Sequence, residues 1–290
     1  MNKEAAVAVA TELAQRITAA FPEVSAVCLG GSIAYAADTV DSFSDLDIFV
    51  YWHAELCSPD EFAARWSAAF GTRTPVRRRE YFLEHRHLSH GLDIDLKHMT
   101  VDRVRRFASQ EPNLDELYLE KIHSLYHYLV LAEVPGSELR TIIDRARARL
   151  TADALGMAGY ALETYGKQVY SAIKQGVLRE EPMAAEDCFD AALHTLVQLA
   201  YLQSGQWPPP YKWRLAATRG ACLPEWDSLH DAVAELRAKR GEPLVERLIT
   251  LRKVERAVAG GYRRPPWSAF TGDHWWWAGL RPLLGNGVFV

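Results

Sequence analysis

The sequence has few cysteines, no long uncharged apolar run and no strong excess of charge of one sign. Its four cysteines stand at positions 28, 57, 188 and 222 without CxxC or CxxH spacing, which disfavours both a zinc site and a disulfide framework. No window approaches the roughly 18 consecutive apolar residues that cross a bilayer. The formal net charge of −4 gives no overall attraction to nucleic acid or to an anionic membrane. We therefore expect a cytoplasmic globular protein.

The N-terminal apolar stretch is interrupted by charge at Glu4, Glu12 and Arg16. This pattern is typical of an amphipathic helix and lacks the uncharged core of a signal peptide. At the other end, residues 265–290 hold four of the nine tryptophans. Because such a density seldom stays in water, we expect this tail to pack on the body of the protein or on a second copy in a homodimer.

The first hundred residues predict a mixed α/β unit. The predicted helices are 3–20 and 59–70, with a short one over 33–37 that Ser32 would cap. The predicted strands are Val24–Leu29, Asp45–Trp52, Val76–Phe82 and Leu92–Met99, with a polar connection over Glu84–Gly91.

From about Asp102 the spacing of apolar residues becomes helical and strand signals disappear. The predicted helices are 114–132, 138–150, 152–175, 184–203, 228–239 and 242–258. We predict the α+β class, with a small mixed-sheet domain over 1–105 followed by an all-α helical bundle domain over 106–290.

Two aspartates, Asp45 and Asp47, lie one residue apart on a predicted strand, so both side chains point to the same face. Adjacent carboxylates repel each other unless a hard cation lies between them. Mg²⁺ prefers such oxygen ligands and leaves positions for water and phosphate. The LDIDL strand offers a third carboxylate, for which Asp95 is preferred over Asp93.

The turn Gly30-Gly31-Ser32 supplies a complementary feature. Glycines allow the backbone to approach a phosphate closely, and amides at a helix start, with a serine hydroxyl, can bind its oxygens. A phosphate site beside paired carboxylates is what metal-assisted phosphoryl or nucleotidyl transfer requires. The pattern favours Gly30, Gly31 and Ser32 as nucleotide-binding residues.

These residues resemble the DNA polymerase β-type nucleotidyltransferase superfamily. The matching stretches are Leu29-Gly30-Gly31-Ser32 and, after a gap, Ser44-Asp45-Leu46-Asp47-Ile48, with a later aspartate on a neighbouring strand. The succession of a small domain and a helical bundle is similar to antibiotic nucleotidyltransferases acting on aminoglycosides and lincosamides.

The resemblance implies a Mg²⁺-dependent enzyme that transfers a nucleoside monophosphate, AMP from ATP or the equivalent from another NTP, to a hydroxyl of a small molecule and releases pyrophosphate. It implies that Asp45, Asp47 and Asp95 (or Asp93) hold the metal, and that the helical domain supplies a base. Glu163 is the candidate base, with Glu120 second. The stretch Tyr211-Lys212-Trp213 resembles relatives of this layout, and Lys212 would contact the triphosphate.

Other readings stay open. The cleft could serve a non-catalytic nucleotide-binding or antitoxin-like module, or the acceptor could be a protein or tRNA. A tRNA substrate needs a broad basic surface, which the net charge does not indicate. Arg77-Arg78-Arg79 is the densest basic run; it is interpreted as a solvated strand end, with a phosphate or tRNA contact as the alternative. His85, His87 and His90 are interpreted as a solvated loop, and Lys97 and His98 as residues that flank the site.

Overall fold

The structure, a computed structural model, describes residues 3–35, 46–214 and 226–260. The described residues of Met1–Glu111 and Glu120–Arg149 form one compact unit, and those of Pro112–Leu119 and Leu150–Val290 form a second. The first contains the sheet and the second is helical, so the predicted α+β class is confirmed. The division at residues 105 and 106 stays a prediction, and the aromatic tail lies outside the described residues.

The sheet of the first unit has six strands in the order β3-β4-β5-β2-β1-β6. Neighbouring strands are antiparallel except for β2 and β5, which are parallel. The strands are β1 (Val24–Leu29), β2 (Leu46–Trp52), β3 (Arg77–Arg78), β4 (Leu83–Ser89), β5 (Leu92–Thr100) and β6 (Leu129–Glu133). The accompanying helices are α1 (Lys3–Ala20), α2 (Gly31–Tyr35), α3 (Pro59–Phe70), α4 (Val101–Ala108) and α5 (Glu116–His127), the last of which belongs to this unit from Glu120 onward.

One face of the sheet is covered by α1 and α3. Alternate strand residues such as Leu29, Ile48 and Leu96 point to this face and are fully buried with Ile17 and Trp66. Since side chains alternate across a strand, the intervening residues of β2, β4 and β5 lie on the opposite face. Burial of the first set therefore fixes the opposite face, called the polar face below, which carries the acidic residues of β2 and β5 together with the buried rings of Phe49 and Tyr51.

The helix α3 begins and ends at residues suited to its termini. Ser58 caps it by accepting a hydrogen bond from the Glu61 amide (3.3 Å), and Pro59 occupies the first turn, where a missing N–H costs nothing. Gly71 ends it with a φ of 71°. The prediction of this helix is confirmed, whereas the predicted cap at Ser32 is wrong. The helix α2 begins one residue earlier, at Gly31, where a positive φ turns the chain.

The predicted polar loop over 84–91 is wrong, because most of it forms β4 in the centre of the antiparallel part of the sheet. His85 and His87 are buried, at 4% and 5% exposure, and so is His98 of β5. Their rings pack against Trp66, with centroid separations of 4.4, 5.6 and 5.7 Å. On β4, His85 and His87 alternate with Glu84, Arg86 and Leu88, and therefore occupy the core-facing positions of an alternating strand.

The predicted helix 114–132 is also partly wrong. It ends at His127, and Leu129–Glu133 forms β6, an edge strand paired with β1. The strand signal is short, and its partner is about a hundred residues away in the chain, so local spacing alone favours helix. The strand β3 is likewise shorter than predicted.

The regular elements of the second unit are helices in its described residues. Two predicted helices form one, α6 (Leu139–Ile173), which enters this unit at Leu150 and continues into a π-helical segment (Lys174–Leu178). The others are α7 (Pro182–Gln203), α8 (Tyr211–Arg214), α9 (Trp226–Ala238) and α10 (Leu244–Gly260). Its core includes Tyr165, Phe189, Leu196 and Leu248. Within the described ranges, no helix combines the length and hydropathy that a bilayer crossing demands.

Candidate active site

The glycine turn after β1 lies directly against Asp47 of β2. The Gly30 amide donates a hydrogen bond to the Asp47 carbonyl (2.9 Å). Gly31 has a φ of 65°, and a β-carbon added there would lie 3.0 Å from the Asp47 Cγ and would overlap its carboxylate. A residue with a side chain cannot take this place without displacing Asp47. Two features that are sixteen residues apart in sequence are thus in contact.

The floor beneath the turn is aromatic. A β-carbon on Gly30 would lie 2.6 Å from Phe49 and 2.9 Å from Tyr128, and these two rings are 4.7 Å apart between centroids. Burial raises the pKa of both the Tyr51 and the Tyr128 hydroxyls, so the floor is uncharged. A neutral, water-poor floor strengthens the interactions of the charged groups above it.

Asp47 and Asp95 are direct neighbours across the parallel pair of β2 and β5. The register places Asp47 beside Asp95, with Leu46 beside Ile94 and Phe49 beside Lys97. Both aspartates lie on the face opposite the apolar core. The structure therefore brings together Asp47 and Asp95, two carboxylates that were predicted on separate strands.

Asp93 and Asp95, the two candidates for the third carboxylate, differ in register and exposure. Only Asp95 stands at the register position of Asp47, and its side chain is 30% exposed against 66% for Asp93. Arg86 of β4 contacts both, through Nε at 3.2 Å from Asp95 Oδ1 and through Nη1 at 3.8 Å from Asp93 Oδ2. The geometry favours Asp95 as the partner of Asp47.

A lysine completes the arrangement. The Lys97 ammonium is ion-paired with Asp47 Oδ1 and lies 5.0 Å from the centre of the Phe49 ring. The two side chains are only 26% and 16% exposed, so this pair is better shielded than an ordinary surface pair. Lys97 was predicted only to flank the site, and it is instead bound to the central carboxylate. His98 points to the opposite face.

Lys97 and Arg86 are the members of the site that the sequence analysis missed. Lys97 stands two residues after Asp95, so strand alternation puts both on the polar face, and that signal was available. Arg86 could be predicted as a site residue only if β4 was recognised as a strand. Its antiparallel register places it opposite Asp95, but the strand was interpreted as a loop.

The remaining predicted residues are distributed elsewhere. Asp45 lies outside the described residues. Ser32 is the second residue of α2 and is partly exposed. Lys212 lies in α8, and its side chain is outside the described part of the structure. Glu163 belongs to α6 of the helical unit, where it pairs with Lys167 at 2.7 Å, with both side chains more than half exposed. Glu120 is an exposed residue of α5.

The donor atoms at the site are those that a hard cation prefers. Asp47 and Asp95 offer carboxylate oxygens side by side, and both are balanced by cationic side chains. Within the described residues, no group of three His, Cys, Asp or Glu side chains is arranged to hold a metal ion. The two carboxylates fit Mg²⁺, which is often bound through one or two protein carboxylates together with substrate phosphates.

No family model matches this chain, and no curated protein matches it either. Solved structures give distant similarities. A nucleotidyltransferase-like protein from Exiguobacterium sibiricum 255-15 is 15% identical and has a TM-score of 0.38, over 94% of this chain and 86% of that one. CdnC of E. coli MS115-1, in complex with HORMA-deltaN, is 14% identical with a TM-score of 0.28, over 87% and 89% of the two chains.

CdnC of the same strain with ATP is also 14% identical, with a TM-score of 0.27, over 88% of this chain and 90% of that one. We draw no functional inference from likenesses at these low TM-scores and identities.

Proposed function

We propose that this chain is a Mg²⁺-dependent nucleotidyltransferase that moves AMP from ATP to a hydroxyl group and releases pyrophosphate. The observation that carries the proposal is the contact of the Gly30-Gly31 turn with Asp47, beside Asp95 on the adjacent parallel strand. A backbone turn able to approach phosphate and two neighbouring carboxylates are the two halves that nucleotidyl transfer requires.

Asp47 and Asp95 would hold Mg²⁺, with Asp45 as the third carboxylate. When bound there, Mg²⁺ would supply charge neutralisation for the triphosphate and activation of the attacking hydroxyl. Lys97 and Arg86 balance these carboxylates in the structure. Each would then lose its partner to the metal and gain the freedom to contact an anionic substrate.

The chain's own groups have separate roles in the proposed transfer. The backbone of Gly31 and Ser32 holds the β- and γ-phosphates. The acceptor oxygen forms a bond to the α-phosphorus, and the bond from that phosphorus to pyrophosphate breaks. Asp95, which lies on the side of Asp47 away from the glycine turn, would help to hold the metal, and the hydroxyl proton passes to a base, for which Glu163 is the candidate. Lys212 as a triphosphate contact and Glu163 as a base stay proposals of the motif resemblance.

The acceptor that the resemblance implies is a small hydroxylated molecule such as an aminoglycoside or a lincosamide. The test is pyrophosphate release from each of the four NTPs with Mg²⁺, against a panel of such acceptors, total tRNA and candidate proteins. We expect release with one nucleotide and one class of acceptor. We expect it to fall at least about a hundredfold in Asp47→Asn, because electrostatic stabilisation of the transition state is lost.

Two further variants sharpen this test. Asp95→Asn should lose transfer as Asp47→Asn does, whereas Asp93→Asn, on the same strand and face, should retain most of it. Circular dichroism and urea unfolding would verify that all three variants fold. Near-normal transfer in a folded Asp47→Asn variant would contradict the mechanism. Equal losses in Asp93→Asn and Asp95→Asn would contradict the assignment of Asp95.

A second candidate is a non-catalytic nucleotide-binding module. The observation in its favour is that Asp47 and Asp95 are already neutralised by Lys97 and Arg86, so that the site is balanced without a metal. Tight ATP binding by calorimetry, with no pyrophosphate released under any combination of acceptor and nucleotide, would favour this module over the transferase.

A further inference from the structure

A cavity of about 460 Å³ opens on the polar face of the sheet, next to the candidate catalytic carboxylates. It is lined by residues of β3, β4 and β5 and of the segments that flank them. The charged residues of its lining are Arg77, Arg79, Glu84, Arg86, Asp95 and Lys97. Asp95 and Lys97 connect it to the proposed centre, because Lys97 is the residue bound to Asp47.

The cavity is basic in a chain whose formal net charge is −4. Four cationic side chains and two carboxylates line the cavity, and one of the cations, Lys97, is paired with Asp47 outside the lining. Both carboxylates are paired within the cavity, Glu84 with Arg79 at 2.6 Å and Asp95 with Arg86 at 3.2 Å. Arg77 is exposed and has no side-chain hydrogen bond or ion pair to any described residue. Its guanidinium is therefore available to an oxyanion, which it can bind through two parallel hydrogen bonds.

The order of the strands determines on which side of the two carboxylates this cavity lies. Across the sheet, the glycine turn follows β1, Asp47 lies on β2, Asp95 on β5, Arg86 on β4 and Arg77 on β3. The cavity and the glycine turn thus lie on opposite sides of the two carboxylates. With the donor phosphates at the glycine turn, the cavity is the place for the second substrate.

We infer that this cavity binds the acceptor, and that the acceptor is a small molecule carrying an oxyanion, a phosphate or a carboxylate, besides its reactive hydroxyl. The inference rests on the proposed function and names its acceptor class. Arg77, which has no ion-pair partner among the described residues, would repel a cationic aminoglycoside. The charge of the cavity therefore disfavours that acceptor. The volume suits a small molecule, since ligand pockets commonly measure about 300–1,000 Å³.

The first experiment measures binding and needs no catalysis. The full chain is titrated by calorimetry with glucose 6-phosphate, glucuronate, glucose and kanamycin. We expect the two anionic probes to bind and the neutral and cationic ones not to bind. Arg77→Gln should weaken anion binding about tenfold, as expected for loss of one charge-assisted contact, and Arg77→Lys should weaken it less.

The matched control is Arg73→Gln, because Arg73 is exposed and lies four residues before Arg77 but does not line this cavity. It should leave the affinities unchanged. Equal binding of glucose and glucose 6-phosphate, no binding of either anion, or no effect of Arg77→Gln in a folded protein would overturn the inference.

The second experiment follows label from α-³²P-ATP to the same four compounds and to an RNA oligonucleotide. Transfer to the anionic sugars, with a KM that rises in Arg77→Gln, supports both proposals. Transfer to kanamycin or to RNA alone, unaffected by Arg77→Gln, would overturn the acceptor class and leave the transferase standing. Arg77-dependent anion binding without transfer to any compound would refute the transferase and retain the anion site.

Discussion

The ammonium group of Lys97 is ion-paired with the Oδ1 atom of Asp47, the carboxylate that also contacts Gly31. A cation at Asp47 would therefore compete with a positive charge that the chain itself supplies. The pair is largely shielded from solvent, so water weakens this competition less than it would at the surface. In the proposed metal site, the lysine would limit how strongly a cation is attracted in the absence of nucleotide.

Replacing Lys97 by methionine should therefore increase the affinity of the nucleotide-free protein for Mg²⁺. The expected gain is about fivefold, equivalent to about 1 kcal/mol for one shielded pair, and calorimetric titration with MgCl₂ measures it. Lys97→Arg keeps the charge and serves as the control, with affinity near that of the original protein. An unchanged or weaker affinity in Lys97→Met would show that the lysine does not compete with the metal.

The conformation of Gly31 provides a second test, because Gly71 is a natural control for it. Both glycines have a positive φ, 65° and 71°, but only Gly31 has a neighbour where a β-carbon would be placed. Each alanine substitution should cost about 1–2 kcal/mol of unfolding free energy for the left-handed backbone. Gly31→Ala should cost more and should also weaken ATP binding, because it displaces Asp47.

Urea unfolding and ATP titration of the two variants would measure these effects side by side. Gly71→Ala should bind ATP normally, since Gly71 caps α3 and has open space around it. Normal ATP binding by Gly31→Ala would contradict the role of the turn as a phosphate contact.

The parts of the site that could be predicted are those that depend on local sequence. Two apolar strands, a glycine turn between them and an alternating LDIDL strand were enough to select Gly31, Asp47 and Asp95. The preference for Asp95 over Asp93 stays a prediction, and its support comes from the register of β2 and β5, which is set by packing across the sheet. The basic cavity likewise depends on strand order, a non-local property.

The errors of prediction have a common physical cause. His85 and His87 were treated as polar because of their residue type, yet neutral imidazole rings pack against Trp66 as aromatic surfaces. Leu129–Glu133 was assigned to a helix because its hydrogen-bonding partner, β1, is distant in sequence. In both cases tertiary contacts overrode the local signal.

Because His85, His87 and His98 are buried, we expect the free energy of unfolding to decrease at acidic pH. Burial lowers the pKa of His85 from 6.5 to about 3, and burial also lowers the pKa of His87 and His98. Between pH 6.5 and about pH 3, His85 binds a proton in the unfolded chain but not in the folded chain, so protonation favours unfolding. Stability should be fully present above pH 6.5 and should decline as the pH falls from 6.5 towards 3.

The decline contributed by one histidine approaches about 1.4 kcal/mol per pH unit once the unfolded form is fully protonated. His85→Phe, which keeps an aromatic ring beside Trp66, should remove that share of the slope. His53→Gln, at an exposed position, should leave the slope unchanged. Urea unfolding at pH 7.5, 6.5, 5.5 and 4.5 would measure it, and an identical slope in His85→Phe would contradict the assignment.

In the helical unit, a buried arginine organises the segment that contains Lys212. Arg214 is 1% exposed, and its guanidinium donates to Glu116 Oε1 (2.5 Å) and to the Pro209 carbonyl (3.1 Å). Glu116 Oε2 also accepts the Tyr211 amide (2.9 Å) at the start of α8. Burial lowers the pKa of Arg214, while Glu116 opposes that shift, so the pair must be complete for the charge to be tolerated.

Removing one partner should therefore be costly. We expect Glu116→Gln to lower the unfolding free energy by about 3 kcal/mol, because it leaves a buried charge without a counter-ion. Arg214→Met should cost less, since it removes that charge and retains much of the volume. If Lys212 contacts the triphosphate, both variants should also weaken ATP binding, whereas Lys167→Met, which breaks an exposed pair of the same unit, should not. A Glu116→Gln protein as stable as the original would show that water, and not Glu116, compensates the arginine.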